Sequence, residues 1–146
     1  KVTLAGLEAT LRHYLDPEEA LREIPALRML ALPPESLEAR SQAFAAILAG
    51  VGWEVEVRKG EGVIGGGTYP GVGLPGWNLR IRAPGLSARD FAMRLRAGDP
   101  PVVGRIEDDD LLLDLRTVEP EEEGLLRHAL VAARAAPSGE EGATSE

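Results

Sequence analysis

The apolar residues of this chain change period at Gly50-Val51-Gly52, and the switch divides it into a helical part and a part built around strands. Ahead of the switch, Leu4, Leu7, Leu11, Tyr14 and Leu15 recur at spacings of three and four, which predicts an amphipathic helix over 2–15. Asp16-Pro17-Glu18-Glu19 opens a second helix, with Asp16 as N-cap, Pro17 in the first helical position and two acids complementing the helix dipole. Pro25 ends it, and a short apolar stretch over 26–32 runs into Pro33-Pro34. Leu37, Phe44, Ile47, Leu48 and Val51 then mark one face of a longer helix that stops near Gly50.

Behind the switch, Trp53, Val55 and Val57 alternate with Glu54, Glu56 and Arg58, the pattern of a half-buried strand, and Lys59 falls beyond it in a polar turn. A glycine-rich loop follows over 65–73, and Leu79, Ile81 and Ala83 alternate with Arg80 and Arg82 in a second strand. Residues 87–97 read as a helix with a Ser87/Asp90 capping box and Leu86, Phe91 and Leu95 on its apolar side. Strands over 102–107 and 111–116 are joined by a turn at Asp108-Asp109-Asp110, whose short side chains tolerate unusual backbone angles. Pro120 and the three glutamates after it start a last helix that ends about Arg134. This order predicts an α+β fold, a small antiparallel sheet with helices on one face. Residues 1–33 form a helical arm outside that unit, 34–134 the α+β domain, and 135–146, rich in Gly, Ser and Glu, a disordered tail.

Composition removes several chemistries. A chain of 146 residues supports one domain with a core of its own. With no cysteine there is no disulfide, thiolate metal site or cysteine nucleophile, and His13 and His128 are too few for a histidine-rich metal site. Both read as helix-surface residues. Acids outnumber bases 24 to 16 for a net charge of -8, so any nucleic-acid contact must be local. Only Lys1 and Lys59 are available as amine nucleophiles. No apolar run approaches the roughly 18 residues of a membrane-spanning helix. The start at Lys1, without Met or signal segment, suggests a piece of a longer protein.

Five segments in order then carry a resemblance: Lys1-Val2-Thr3-Leu4-Ala5-Gly6-Leu7-Glu8-Ala9-Thr10-Leu11; Ile24-Pro25-Ala26-Leu27-Arg28-Met29-Leu30; Gly65-Gly66-Gly67 with Pro70; Leu74-Pro75; and Asp114-Leu115-Arg116-Thr117-Val118 before Pro120-Glu121-Glu122-Glu123. Over residues 1 to about 134 the chain resembles the C-terminal part of the bacterial L-seryl-tRNA(Sec) selenium transferases, which are similar to fold type I pyridoxal-phosphate enzymes. The resemblance implies the small domain of such an enzyme, closing over an active site carried by a larger one. It also implies the parent's chemistry. Seryl-tRNA(Sec) forms an aldimine with pyridoxal phosphate, loses water to a dehydroalanyl intermediate and accepts selenium from selenophosphate, giving selenocysteinyl-tRNA(Sec). The implied parent is a cytoplasmic homo-oligomer without membrane contact. Its cofactor lysine lies upstream of this sequence, and Lys1 matches a non-catalytic lysine. No catalytic residue is therefore expected here, and the isolated chain is expected to be inert.

Three groups of residues remain as candidates. Gly65, Gly66 and Gly67 belong to a loop with five glycines in nine positions, which reads either as an active-site border or as a crossover between strands. It lacks the endings of a P-loop or a dinucleotide fingerprint. Arg116 reads either as a second border residue serving a phosphate or as the ion-pair partner of Asp114 or Glu121. Arg80 and Arg82 share a strand face and, with Arg58 across the sheet, read either as a small basic patch for an anion or RNA or as ordinary solvated polarity. Trp53, Trp77, Phe44 and Phe91 are expected to anchor the core. Two other readings stand beside the transferase: the small domain of a related pyridoxal-phosphate ammonia lyase, and a non-catalytic interaction module.

Overall fold

The structure, a computed structural model, describes residues 1–63 and 73–135. Within them lie six α-helices and a four-stranded antiparallel sheet of order β1-β2-β4-β3. The expected α+β class is what the chain adopts. Of the expected tail over 135–146, Ala135 closes the last helix instead, and 136–146, like the Gly65-Gly66-Gly67 loop, lie outside the described residues.

The arm comprises α1 (Val2–His13), α2 (Pro17–Glu23) and α3 (Pro25–Leu30). Asp16 caps α2 as its sequence foretells, its Oδ1 accepting from the amides of Glu18 and Glu19 at 2.9 and 3.3 Å. The stretch after Pro25 is itself a helix. Ile24, in extended conformation, closes α2 and opens α3, and Pro25 occupies the first position of α3, where its missing N–H costs nothing. In the arm only α2 buries a residue, Ala20; α1 and α3 bury none, and α1 is the most exposed. Its contacts are local: Arg12 with Glu8 at 2.8 Å, and His13, half-buried rather than fully on the surface, with Glu19 of α2 at 2.8 Å.

The core lies between the sheet and α4 (Pro34–Ala49), α5 (Ala88–Ala97) and α6 (Glu123–Ala135). From α4 come Leu37, Phe44 and Leu48, from α5 Phe91 and Leu95, from α6 Leu126 and Leu130, all buried. Each such side chain contributes roughly 1.5–3 kcal/mol by leaving water. Ile47 and Val51, placed on the same face by periodicity, are half exposed instead. Trp53 is buried with its ring centroid 5.5 Å from that of Phe91, whereas Trp77 is only partly buried and lies beneath Lys59. Thus three of the four expected aromatic anchors are in the core.

Strands β1 (Glu54–Val63) and β2 (Gly73–Arg82) pair from Glu54↔Arg82 to Val63↔Gly73, several residues beyond the stretch that alternation marks. Lys59 is therefore in β1, opposite Trp77, and not in a turn; Gly60, Gly62 and Gly76 carry no side chains to register the alternation there. Strand β3 (Arg105–Glu107) is shorter than expected because Val102 N–H donates to Leu95 O at 2.9 Å, closing the end of α5 instead of joining the sheet. Strand β4 (Asp110–Asp114) ends early, because Asp114 caps a 3-10 turn over Leu115–Thr117. The hairpin turn is made by Asp108 (φ 50°) and Asp109 (φ 61°), the two positive φ values of a type I′ turn. Asp110 belongs to β4 and pairs with Glu107. A second 3-10 turn, Pro120–Glu122, precedes α6.

Candidate functional site

Arg116 owes its position to the 3-10 turn. Asp114 Oδ1 accepts from the Arg116 amide at 2.9 Å, which turns Leu115 into the core and Arg116 toward the arm. Its guanidinium is buried, with 5% of the residue exposed. One terminal nitrogen, Nη1, donates to the carbonyls of Met29, Leu30 and Leu32 at 3.2, 3.5 and 3.4 Å, at and just beyond the C-terminal end of α3. The other, Nη2, donates to Pro75 O at 2.7 Å. A Cβ at Gly76 would lie 3.0 Å from Nη2, so glycine there is what admits the guanidinium. Among the described residues the third nitrogen, Nε, has no hydrogen-bond acceptor; it lies 3.9 Å from Asp114 Oδ2. The arm is fastened once more by Arg28 to Glu119 at 2.5 Å, and α4 is tied to the same segment by Arg40, which reaches Glu123 and the Val118 carbonyl, both at 2.8 Å.

Beside Arg116 opens a cavity of about 660 Å3, bordered by Met29, Gly62, Leu74, Asn78, Asp114 and Arg116 among others. The ends of β1 and β2 that lead into residues 64–72 thus border the same space as Arg116. Neither lysine does: Lys1 is exposed at the end of the chain, and Lys59 Nζ sits 5.6 Å from the centre of the Trp77 ring.

The three strand arginines separate. Arg80 and Arg82 both donate through Nε to Asp110, and Arg82 Nη2 reaches Asp110 Oδ2 at 3.1 Å. Arg58 pairs instead with Glu56 on its own strand at 2.8 Å, both exposed. Asp110 is buried, and the hydrogen bond from Arg82, joined by that from Arg80, holds its carboxyl below the usual carboxylate range against the opposing effect of burial. Sequence reasoning placed Asp110 in the turn and missed this role. The available signal was an acid at the hairpin mouth across from an Arg-x-Arg strand, where cross-strand pairing brings opposite charges together. Among the described residues no group of three His, Asp or Glu is placed to hold a metal ion, and no helix is long and apolar enough to cross a membrane.

Fold and site together define a small α+β domain with a helical arm clasped to it by a buried arginine. Residues 1–119 match the family model described as SelA: L-seryl-tRNA selenium transferase, and the chain belongs to that family. It is 41% identical over 136 residues to the L-seryl-tRNA(Sec) selenium transferase of Moorella thermoacetica, covering 91% of this chain and 29% of that protein. The enzyme of that name from Desulfovibrio desulfuricans is 39% identical over 136 residues, covering 89% and 29%, and that from Geobacter sulfurreducens 43% over 121 residues, covering 81% and 26%. The chain thus spans less than a third of the length of these relatives.

Proposed function

We propose that this chain is the C-terminal small domain of a selenium transferase that uses pyridoxal phosphate and selenophosphate to convert seryl-tRNA(Sec) to selenocysteinyl-tRNA(Sec), working as a cytoplasmic homo-oligomer. The observation that carries this reading is the family match over residues 1–119. The chain's own groups do not fit a pyridoxal-phosphate site: Lys59 is spread over Trp77 away from the large cavity, and the terminal nitrogens of Arg116 are occupied by carbonyls. In this reading the cofactor and its lysine belong to the remainder of the parent, and no step of the chemistry is carried by residues 1–146.

What this chain contributes is shape. Gly65, Gly66, Gly67 and Arg116 are the proposed border of the parent's active site, a reading supported by the convergence of Glu61, Gly62, Leu74 and Arg116 on one cavity. Arg58, Arg80 and Arg82 are weaker candidates for contact with RNA, since each already has a carboxylate partner. The acidic start of the last helix points away from the tRNA, because three successive glutamates beside a phosphate backbone cost affinity. The test is turnover in the intact parent. Arg116→Ala is expected to lower it far more than tRNA affinity, while Glu122→Lys leaves it nearly intact. Full turnover with only a lowered melting temperature in Arg116→Ala would remove Arg116 from the border.

A further inference from the structure

Every arginine outside α5 and α6 stands beside a carboxylate, at 3.9 Å or closer. On these two helices the pattern breaks. Arg89 and Arg96 of α5 and Arg127 of α6 are exposed and have no ion-pair or hydrogen-bond partner among the described residues. Arg134 donates to a carbonyl instead, Gly52 O at 3.3 Å, with its guanidinium 5.1 Å from the centre of the Trp53 ring. The acids of the same helices are engaged: Asp90 accepts from Ser87 Oγ at 2.6 Å, and Glu123 from Arg40. In a chain of net charge -8, three unneutralised guanidinium groups therefore gather on one helix pair, and a polyanion repelled by the rest of the surface is steered there.

Their spacing repeats. Arg89, Met93 and Arg96 follow one another at intervals of four and three, as do Arg127, Val131 and Arg134. In each row the arginines lie two turns apart, about 10.5 Å along the helix axis, and the residue between them is half exposed. Arg94 donates to Ala133 O at 3.3 Å and so faces α6, which leaves Arg89 and Arg96 on the far side of α5. The two rows thus run along the helix pair on rigid supports. A lone phosphate or carboxylate reaches one of these arginines; anions repeated along a stiff frame reach several, and the planar guanidinium fork matches the oxygens of a phosphate. Neither helix exposes a Phe, Tyr or Trp on which an unpaired base could stack, so the arrangement suits a paired stem met by its backbone better than a single strand.

We propose that α5 and α6 bind the phosphate backbone of a double-helical RNA stem through Arg89, Arg96 and Arg127. The inference rests on the reading of the parent as an enzyme acting on a tRNA, and adds where on this chain that RNA lies. None of the three arginines borders the cavity beside Arg116.

The test is the affinity of the intact parent for seryl-tRNA(Sec) over a series of salt concentrations, for unaltered protein and for the triple variant Arg89→Gln, Arg96→Gln, Arg127→Gln. Loss of three phosphate contacts is expected to reduce the slope of log affinity against log salt by about three and to weaken binding on the order of 100-fold at about 0.1 M salt. The melting temperature is expected to stay unchanged, since these side chains hold no partner. Arg12→Gln, Arg22→Gln, Arg105→Gln removes the same charge from ion-paired positions and is expected to leave the slope as it was. A parent that binds and converts seryl-tRNA(Sec) while the first triple variant keeps both slope and affinity overturns the inference and leaves the reading of the parent intact. A first triple variant whose assembly state changes at unchanged slope overturns it too, and gives the face to a second copy of the chain. Unaltered parent that fails to bind seryl-tRNA(Sec) at any salt overturns the reading and the inference together.

Discussion

Replacing Arg116 by alanine removes the clasp between arm and sheet, and its cost can be worked from the contacts. The 2.7 Å bond to Pro75 O is a full charged hydrogen bond, while the three Nη1 contacts to the end of α3, at 3.2–3.5 Å, share one donor group and together count as about one more. At roughly 1.5–3 kcal/mol for a bond to a charged group, with part recovered by water reaching the freed carbonyls, the expected loss is about 3–4 kcal/mol. For a domain of this size that corresponds to a fall in Tm of roughly 10–15 °C. Urea unfolding measures the loss, and hydrogen exchange locates it: amides of α3, such as those of Arg28 and Ala31, are expected to lose protection before those of β2 and β4. Arg116→Lys keeps the charge but not the planar fork that reaches α3 and Pro75 together, so it is expected to recover less than half of the stability. A loss below about 1 kcal/mol, or unchanged exchange in α3, would refute the reasoning.

Two further outcomes follow from the fold. The carboxyl of Asp110 titrates below its unfolded value, so its stabilising contribution is complete above about pH 4 and fades as pH falls through the folded value; Asp110→Asn is expected to lower stability at neutral pH and to flatten the acid limb of a stability–pH curve. In a strictly monomeric sample the amides over 3–15 are expected to exchange much faster than those over 54–58, since a helix of this length with no buried residue is marginal on its own; equal protection would show that α1 has packing that its exposed Leu4, Leu7 and Leu11 do not reveal.

How far these features could be read from the sequence depends on the range of the interaction. Local rules served well: the Asp16 cap, the Ser87 cap, whose Oγ accepts from the Asp90 amide at 3.1 Å, and the positive φ angles of the acidic turn are each decided within four residues. Strand ends were misjudged where a distant partner decides them. Val102 is withdrawn from β3 by Leu95, and β1 continues past Arg58 because Trp77, Pro75 and Leu74 lie across from it, a pairing invisible to alternation when glycines alternate with charges. The sequence singles out Arg116, yet its partners, Met29, Leu30, Leu32 and Pro75, stand 41 to 87 positions away, beyond any motif. The burial of Asp110 escaped for the same reason, being set by two arginines on another strand.

That carboxylate also keeps β4 in step. Leu111, Leu113 and Asp110 sit in a strand whose paired neighbour, β2, alternates between Leu79 or Ile81 and Arg80 or Arg82. Sliding β4 by one residue would bring Asp110 into the hydrocarbon layer and Leu111 out to the arginines. Sliding it by two would preserve the leucine layer but set Leu112 where Asp110 stood, opposite Arg82, and leave both guanidinium groups to Asp114, which would lose its place as the cap of the 3-10 turn. Hydrophobic pattern alone cannot tell the second misalignment from the native one. A single buried charge can, so of the two near-degenerate alignments open to this sheet, one carries an electrostatic penalty that the chain meets while it is still folding.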